Sequence, residues 1–101
     1  MASTRLPNET ARLHAIVSGG GLRIRFTGHA RQEMAKDAIT EPDAMQVPKH
    51  GRVTWIETKK EEQWHVEGRD VDGKSIRLVV VVYPEEAAVK VITAMELRRG
   101  T

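Results

Sequence analysis

The chain predicts an α+β fold, with N-terminal helices packed on an antiparallel β-sheet meander. Three observations carry this. Apolar residues recur at helical spacing through most of the first half, apart from one short alternating stretch. They alternate or run continuously in the second half, and turn residues divide that half at short intervals. One hundred and one residues suit a single domain, and a hydrophobic share of 40% supplies one core without outside staples.

Residues 1–7 are expected to be a polar tail ending at Pro7. The single domain then spans residues 8–97, and residues 98–101 form a basic tail. Asn8 is a good cap for a first helix, with Glu9 well placed in its first turn. Leu13, Ile16 and Val17 mark its apolar face, His14 is expected to point to solvent, and Gly19-Gly20-Gly21 ends it. Leu22 to Phe26 alternates as a half-buried strand, placing Arg23 and Arg25 outward. Two readings of those arginines stand: phosphate contact, or solubility of an edge strand.

Thr27 is placed to cap a short helix that buries Ala30 and Met34, four residues apart on one face. Thr40 and Asp43 have capping-box spacing for another helix, with Pro42 tolerated in the first turn. That helix is expected to end before Pro48, with Ala44, Met45 and Val47 as its apolar face.

From Arg52 the period becomes that of strands. Val53, Trp55 and Glu57 should share one face, and Lys59 to Glu62 a solvated hairpin tip. Trp64, Val66 and Gly68 should face opposite to His65, Glu67 and Arg69. Asp72-Gly73 marks a tight turn whose two central residues need positive φ. The run Leu78 to Val82 is apolar on both faces, which marks Ser75–Tyr83 as the central strand. After a turn at Pro84 to Ala88, Val89–Met95 returns as the last strand. Register at the Asp72-Gly73 hairpin has two solutions. A two-residue loop separates Arg77 from His65, Glu67 and Arg69, whereas a three-residue loop through Val71 gathers all four on one face.

Composition narrows the function classes. Sixteen basic and fourteen acidic residues give a net charge of +2, which permits a local basic patch but not a histone-like surface. Only Phe26, Trp55, Trp64 and Tyr83 are aromatic, so a broad base-stacking sheet is disfavoured. The absence of cysteine rules out disulfides and thiolate metal sites. His14, His29, His50 and His65 show no ligand-pair spacing, so no metal is expected. No cofactor motif is present, so no cofactor is expected either. No apolar run approaches a membrane span, and Met1 to Arg5 lack the apolar core of a signal peptide, so a cytoplasmic protein is the expectation.

His29 falls in the first turn of a helix, where unpaired N–H groups and the helix dipole disfavour an imidazolium. A neutral imidazole there can act as a general acid or base, or simply pack at the helix start. His65, Glu67 and Arg69 share a strand face, where they could bind and protonate a phosphodiester or form a cross-strand salt network.

The stretch Phe26-Thr27-Gly28-His29-Ala30-Arg31-Gln32-Glu33-Met34-Ala35, followed by Ile39-Thr40 and an acidic helix start, resembles the bacterial family catalogued as domain of unknown function 4258. A preceding helix, a following glycine-turn hairpin and a valine-rich strand extend the resemblance over roughly residues 8 to 97. Asp37-Ala38 departs from the Arg-Gly that relatives often carry. The family is similar to the RelE/ParE group of small toxins, many of which cut messenger RNA. The resemblance implies a RelE/ParE-like fold, a metal-independent endoribonuclease of a toxin–antitoxin system, and RNA, the ribosome and an antitoxin protein as partners. The alternative is a non-catalytic protein- or nucleic-acid-binding module on the same fold. Metal-free cleavage of RNA needs a base, an acid and cations around the phosphate. His29 and His65 are the proton-transfer candidates, with Tyr83 as a further acid. Arg31, Arg69 and Arg77 are the phosphate candidates.

Overall fold

In the computed structural model, which describes residues 6–19, 22–70 and 72–97, three helices cover one face of a five-stranded mixed sheet. Apart from Leu6 and Pro7, the expected tails lie outside the described residues, as do Gly20, Gly21 and Val71. The order is α1 (Pro7–Ser18), β1 (Arg23–Phe26), α2 (Gly28–Lys36), α3 (Glu41–His50), β2 (Arg52–Thr58), β3 (Glu62–Arg69), β4 (Ser75–Tyr83) and β5 (Ala88–Glu96). A single 3₁₀ turn, Pro84–Glu86, joins β4 to β5.

The strands lie in the order β1-β5-β4-β3-β2, so β4 is central, as its two-sided apolar run requires. β2 to β5 form the antiparallel meander, and β1 adds to β5 in parallel as an edge strand. The helix-covered face carries the core, in which Val66, Leu78, Val80, Val89 and Val91 meet Leu13, Ala30, Met34 and Val47. Among the described residues no helix lies over the other face. On it Val79 and Val81 are still only 8% and 5% exposed, shielded by the side chains around them.

Local chemistry explains most boundaries. Thr27 Oγ1 accepts from Ala30 N at 3.1 Å and donates to the Ile92 carbonyl at 3.2 Å, so one hydroxyl caps α2 and ties it to β5. Thr40 and Asp43 form the expected capping box on α3. α1 begins two residues earlier than a cap at Asn8 would set it: Leu6 is the cap and Pro7 takes the first position, where a missing N–H costs nothing. His14 is half-buried and not solvent-directed, with Nε2 donating to the Gly51 carbonyl at 2.7 Å.

α3 does not stop before Pro48. The proline sits inside its last turns, where one lost backbone bond is offset by complete burial of the ring. The helix then ends at Gly51, whose N–H closes on the Val47 carbonyl. A Cβ on Gly51 would lie 2.3 Å from the Glu67 carbonyl oxygen, so only glycine lets this exit rest on the β3 backbone.

Two further expectations are corrected by backbone detail. Thr54 forms a bulge in β2, so Val53 pairs with Val66 toward the core while Trp55 pairs with His65 on the open face. The hairpin after β3 is not a two-residue turn with two positive φ values. Among the described residues only Gly73 is left-handed there, at φ 86°, and Asp70 Oδ1 accepts from Asp72 N and Lys74 N, each at 2.9 Å. Arg69 therefore pairs with Ser75 and Glu67 with Arg77, which is the three-residue-loop register.

Candidate functional site

The open sheet face is built from alternate residues of all five strands. Register places Arg23 and Arg25 of β1 beside Ala88 and Lys90 of β5, and Lys90 beside Val81 of β4. Farther along, Thr93, Val79, His65 and Trp55 follow one another across β5, β4, β3 and β2. Arg77 and Glu67 form the next rank, then Ser75 and Arg69.

Three polar groupings occupy this face. In the first, Arg77 Nε and Nη2 donate to Glu67 Oε2 at 3.1 and 2.8 Å, and Thr54 Oγ1 donates to the same oxygen at 3.3 Å. In the second, His65 Nε2 donates to Glu57 Oε1 at 3.0 Å. That hydrogen bond, opposed by partial burial and helped by Lys59, holds the Glu57 carboxyl below its ordinary range. Trp55 stands beside this pair and is 40% exposed, the one large apolar side chain so exposed among the described residues. In the third, Tyr83 donates to Glu61 Oε2 at 3.1 Å, and Lys90 lies 5.9 Å from the Tyr83 ring centre and 3.7 Å from Glu61 Oε1. Tyr83, then Glu61, raise the Lys90 ammonium above the usual lysine range.

The structure brings together four residues singled out in the sequence: His65, Arg69 and Arg77, with Glu67 between them. Tyr83 shares their face but lies four residues along β4 from Val79, the partner of His65, or roughly 13 Å away at strand rise. His29 and Arg31 stand elsewhere, on α2 in the helix layer. His29 is exposed, and its side chain makes no hydrogen bond to the described residues. α2 packs on β5 and β1, and β1 is three strand spacings from β3, roughly 14 Å. Arg31 pairs with Glu41 at the start of α3 and stacks on Phe26, so it braces two helices.

Trp55, Glu57 and Lys90 enter the face without having been recognised in the sequence. The bulge at Thr54 concealed the first two, and the parallel β1–β5 pairing concealed the third. Among the described residues no three His, Asp or Glu side chains are grouped as metal ligands. No described helix is long and apolar enough to cross a membrane.

Residues 26–96 match the model of the family described as Domain of unknown function (DUF4258), and the chain belongs to that family. The match begins at Phe26, where the motif shared with the family begins, and runs to the end of β5. No curated protein and no solved structure matches the chain.

Proposed function

We propose that the domain binds single-stranded RNA on the open face of its sheet. The observation that carries this reading is the parallel pairing of β1 with β5. It sets Arg25 in register beside Lys90, with Arg23 two residues away on the same face. Lys90 is balanced by Glu61, whereas among the described residues neither arginine has a carboxylate partner. A polyanion laid over this edge supplies the counter-charge that the two arginines lack. The exposed ring of Trp55 on the same face offers one stacking position for an unpaired base. The RelE/ParE resemblance read from the sequence motif would imply the same ligand class, and in that setting an antitoxin segment would cover this face.

The test is fluorescence anisotropy with a labelled single-stranded RNA across a salt series. Parent protein should bind with affinity that falls as salt rises. Arg23→Ala/Arg25→Ala should weaken binding and flatten the slope by about 1.4, the share of two lost phosphate contacts on a single strand. Unchanged affinity and slope in a folded double variant would remove the reading.

The hydrogen-bonded His65–Glu57 pair favours a second reading, in which the bound RNA is also cut. Glu57 fixes one nitrogen of the imidazole and leaves the other for proton transfer to or from a 2′-hydroxyl. His29 serves no such step from the helix layer, so cleavage on this face rests on His65. Incubation of RNA with the parent and with His65→Ala separates the readings: cleavage lost in the variant supports catalysis, and intact RNA with the parent leaves binding alone.

A further inference from the structure

At the corner where α3 ends, β2 begins and β3 turns into β4, the surface sinks into a cleft of about 720 Å³. That volume lies in the range of small-molecule sites. Three cationic or potentially cationic side chains line it: His50, Arg52 and Arg69. All three are exposed, and none has a carboxylate partner among the described residues. Arg52 pairs in register with Glu67, two residues before Arg69, so the arginines are diagonal neighbours on one face at roughly 7–8 Å. Ser75, directly opposite Arg69, adds a hydroxyl.

The groups that would repel an anion here are already engaged. Glu67 accepts three hydrogen bonds on one carboxylate oxygen, two of them from the Arg77 guanidinium. The Gly51 carbonyl, at the C-terminal end of α3, accepts from His14 Nε2. The floor is main chain, because Gly51 and Gly68 meet with no side chain between them: a Cβ on Gly68 would lie 3.0 Å from Gly51 Cα. Arg52 and Arg69 line the cleft beside this backbone floor.

We propose that this cleft binds a phosphomonoester of nucleotide size, with the dianionic phosphate held between Arg52 and Arg69. Two planar forks match the oxygens of a terminal phosphate, and its second negative charge suits paired arginines better than a diester does. The rest of the volume accommodates the sugar and base. The proposal is independent of RNA binding along the β1–β5 edge, because a mononucleotide needs only the cleft.

Isothermal titration at low salt with 5′-AMP, and with adenosine as its phosphate-free control, tests it. AMP should bind and adenosine should not. Arg69→Ala and Arg52→Ala should each weaken AMP by about tenfold or more, the weight of one charge-assisted hydrogen bond. Arg69→Lys, which keeps the charge but loses the fork, should fall between parent and alanine. Lys60→Ala, which removes an equal charge from the far hairpin tip, should leave AMP binding unchanged. No AMP binding, equal binding of adenosine, or equal weakening by Lys60→Ala would overturn the proposal. Oligonucleotides with a 5′-phosphate or a 5′-hydroxyl then identify the source of the ligand. Preference for the phosphorylated end assigns the cleft to an RNA terminus, and no preference with AMP binding intact assigns it to a free nucleotide.

Discussion

Glu67 and Arg77 face each other across β3 and β4, with two guanidinium nitrogens donating to a single carboxylate oxygen. Both side chains are about one-third exposed, at 30% and 36%, so solvent screens the pair. Glu67→Gln should therefore lower stability by less than about 1 kcal/mol. Its larger effect should be electrostatic, since removing the carboxylate frees Arg77 for phosphate. RNA affinity should rise and its salt dependence should steepen. Urea unfolding and anisotropy on one preparation measure both, and weaker RNA binding by a stable variant would contradict the assignment of this face.

Ala38 ends α2 in the left-handed region at φ 56°. Ile39 N donates to the Met34 carbonyl at 2.8 Å and Ala38 N to that of Ala35 at 3.3 Å, which is the Schellman pattern; Met34 and Ile39 are both buried beside it. Glycine suits this position because it lacks the Cβ that crowds the following carbonyl. Ala38→Gly should stabilise the domain by roughly 0.5–1 kcal/mol, the left-handed strain less the added freedom of the unfolded chain. A thermal melt should move upward by a few degrees, and a downward shift would mean that the loop does not hold this conformation in solution.

The parts of the fold legible in the sequence were those set by neighbours in the chain. Thr27, Thr40 and Asp43 act within three residues of themselves, and the valine run of β4 announces burial on both sides. The illegible parts depend on distant partners or on backbone irregularities without a residue signature. Nothing in Leu22 to Phe26 says that β1 pairs in parallel with β5, about sixty-five positions later in sequence. Thr54 carries no glycine or proline to mark its bulge, yet that extra residue sends Trp55 and Glu57 to the face of His65. The register of the β3–β4 hairpin had two solutions, and the choice between them was settled by Asp70, whose carboxylate organises a wider loop. The face of His65, Glu67 and Arg69 could thus be read, while its partners on β2 and its separation from His29 could not.

Gly51 tests how closely α3 must rest on the sheet. Its φ of −87° is open to any residue, so an effect of substitution comes from space alone. A Cβ there would approach the Glu67 carbonyl oxygen to 2.3 Å and the Val47 carbonyl oxygen to 2.5 Å, both backbone atoms that cannot rotate aside. Gly51→Ala should cost about 1–3 kcal/mol, the scale of overpacking in a close-packed interior. Gly28→Ala is the control, since a Cβ at Gly28 meets nothing within 4 Å. Equal melting temperatures for the two variants would show that α3 can lift from β3 at no cost.

The His65–Glu57 bond gives the acid limb of the stability curve a definite direction. The hydrogen bond from His65, with the Lys59 charge in support, lowers the Glu57 carboxyl in the folded state from its ordinary value of 4.5. A group lowered in this way binds more protons in the unfolded chain than in the folded one just below that value. Its stabilisation is therefore complete above pH 4.5 and disappears as the pH falls through the folded-state value. Glu57→Gln removes the titration but keeps a hydrogen-bond acceptor. The stability difference between parent and variant should be fully developed above pH 4.5 and shrink as the pH falls below it. Carboxyl-detected NMR should place the Glu57 midpoint below those of the exposed glutamates. Parallel melting curves down to pH 3 would mean that His65 does not hold Glu57 in solution, and would take with them the proton-transfer role given to this pair.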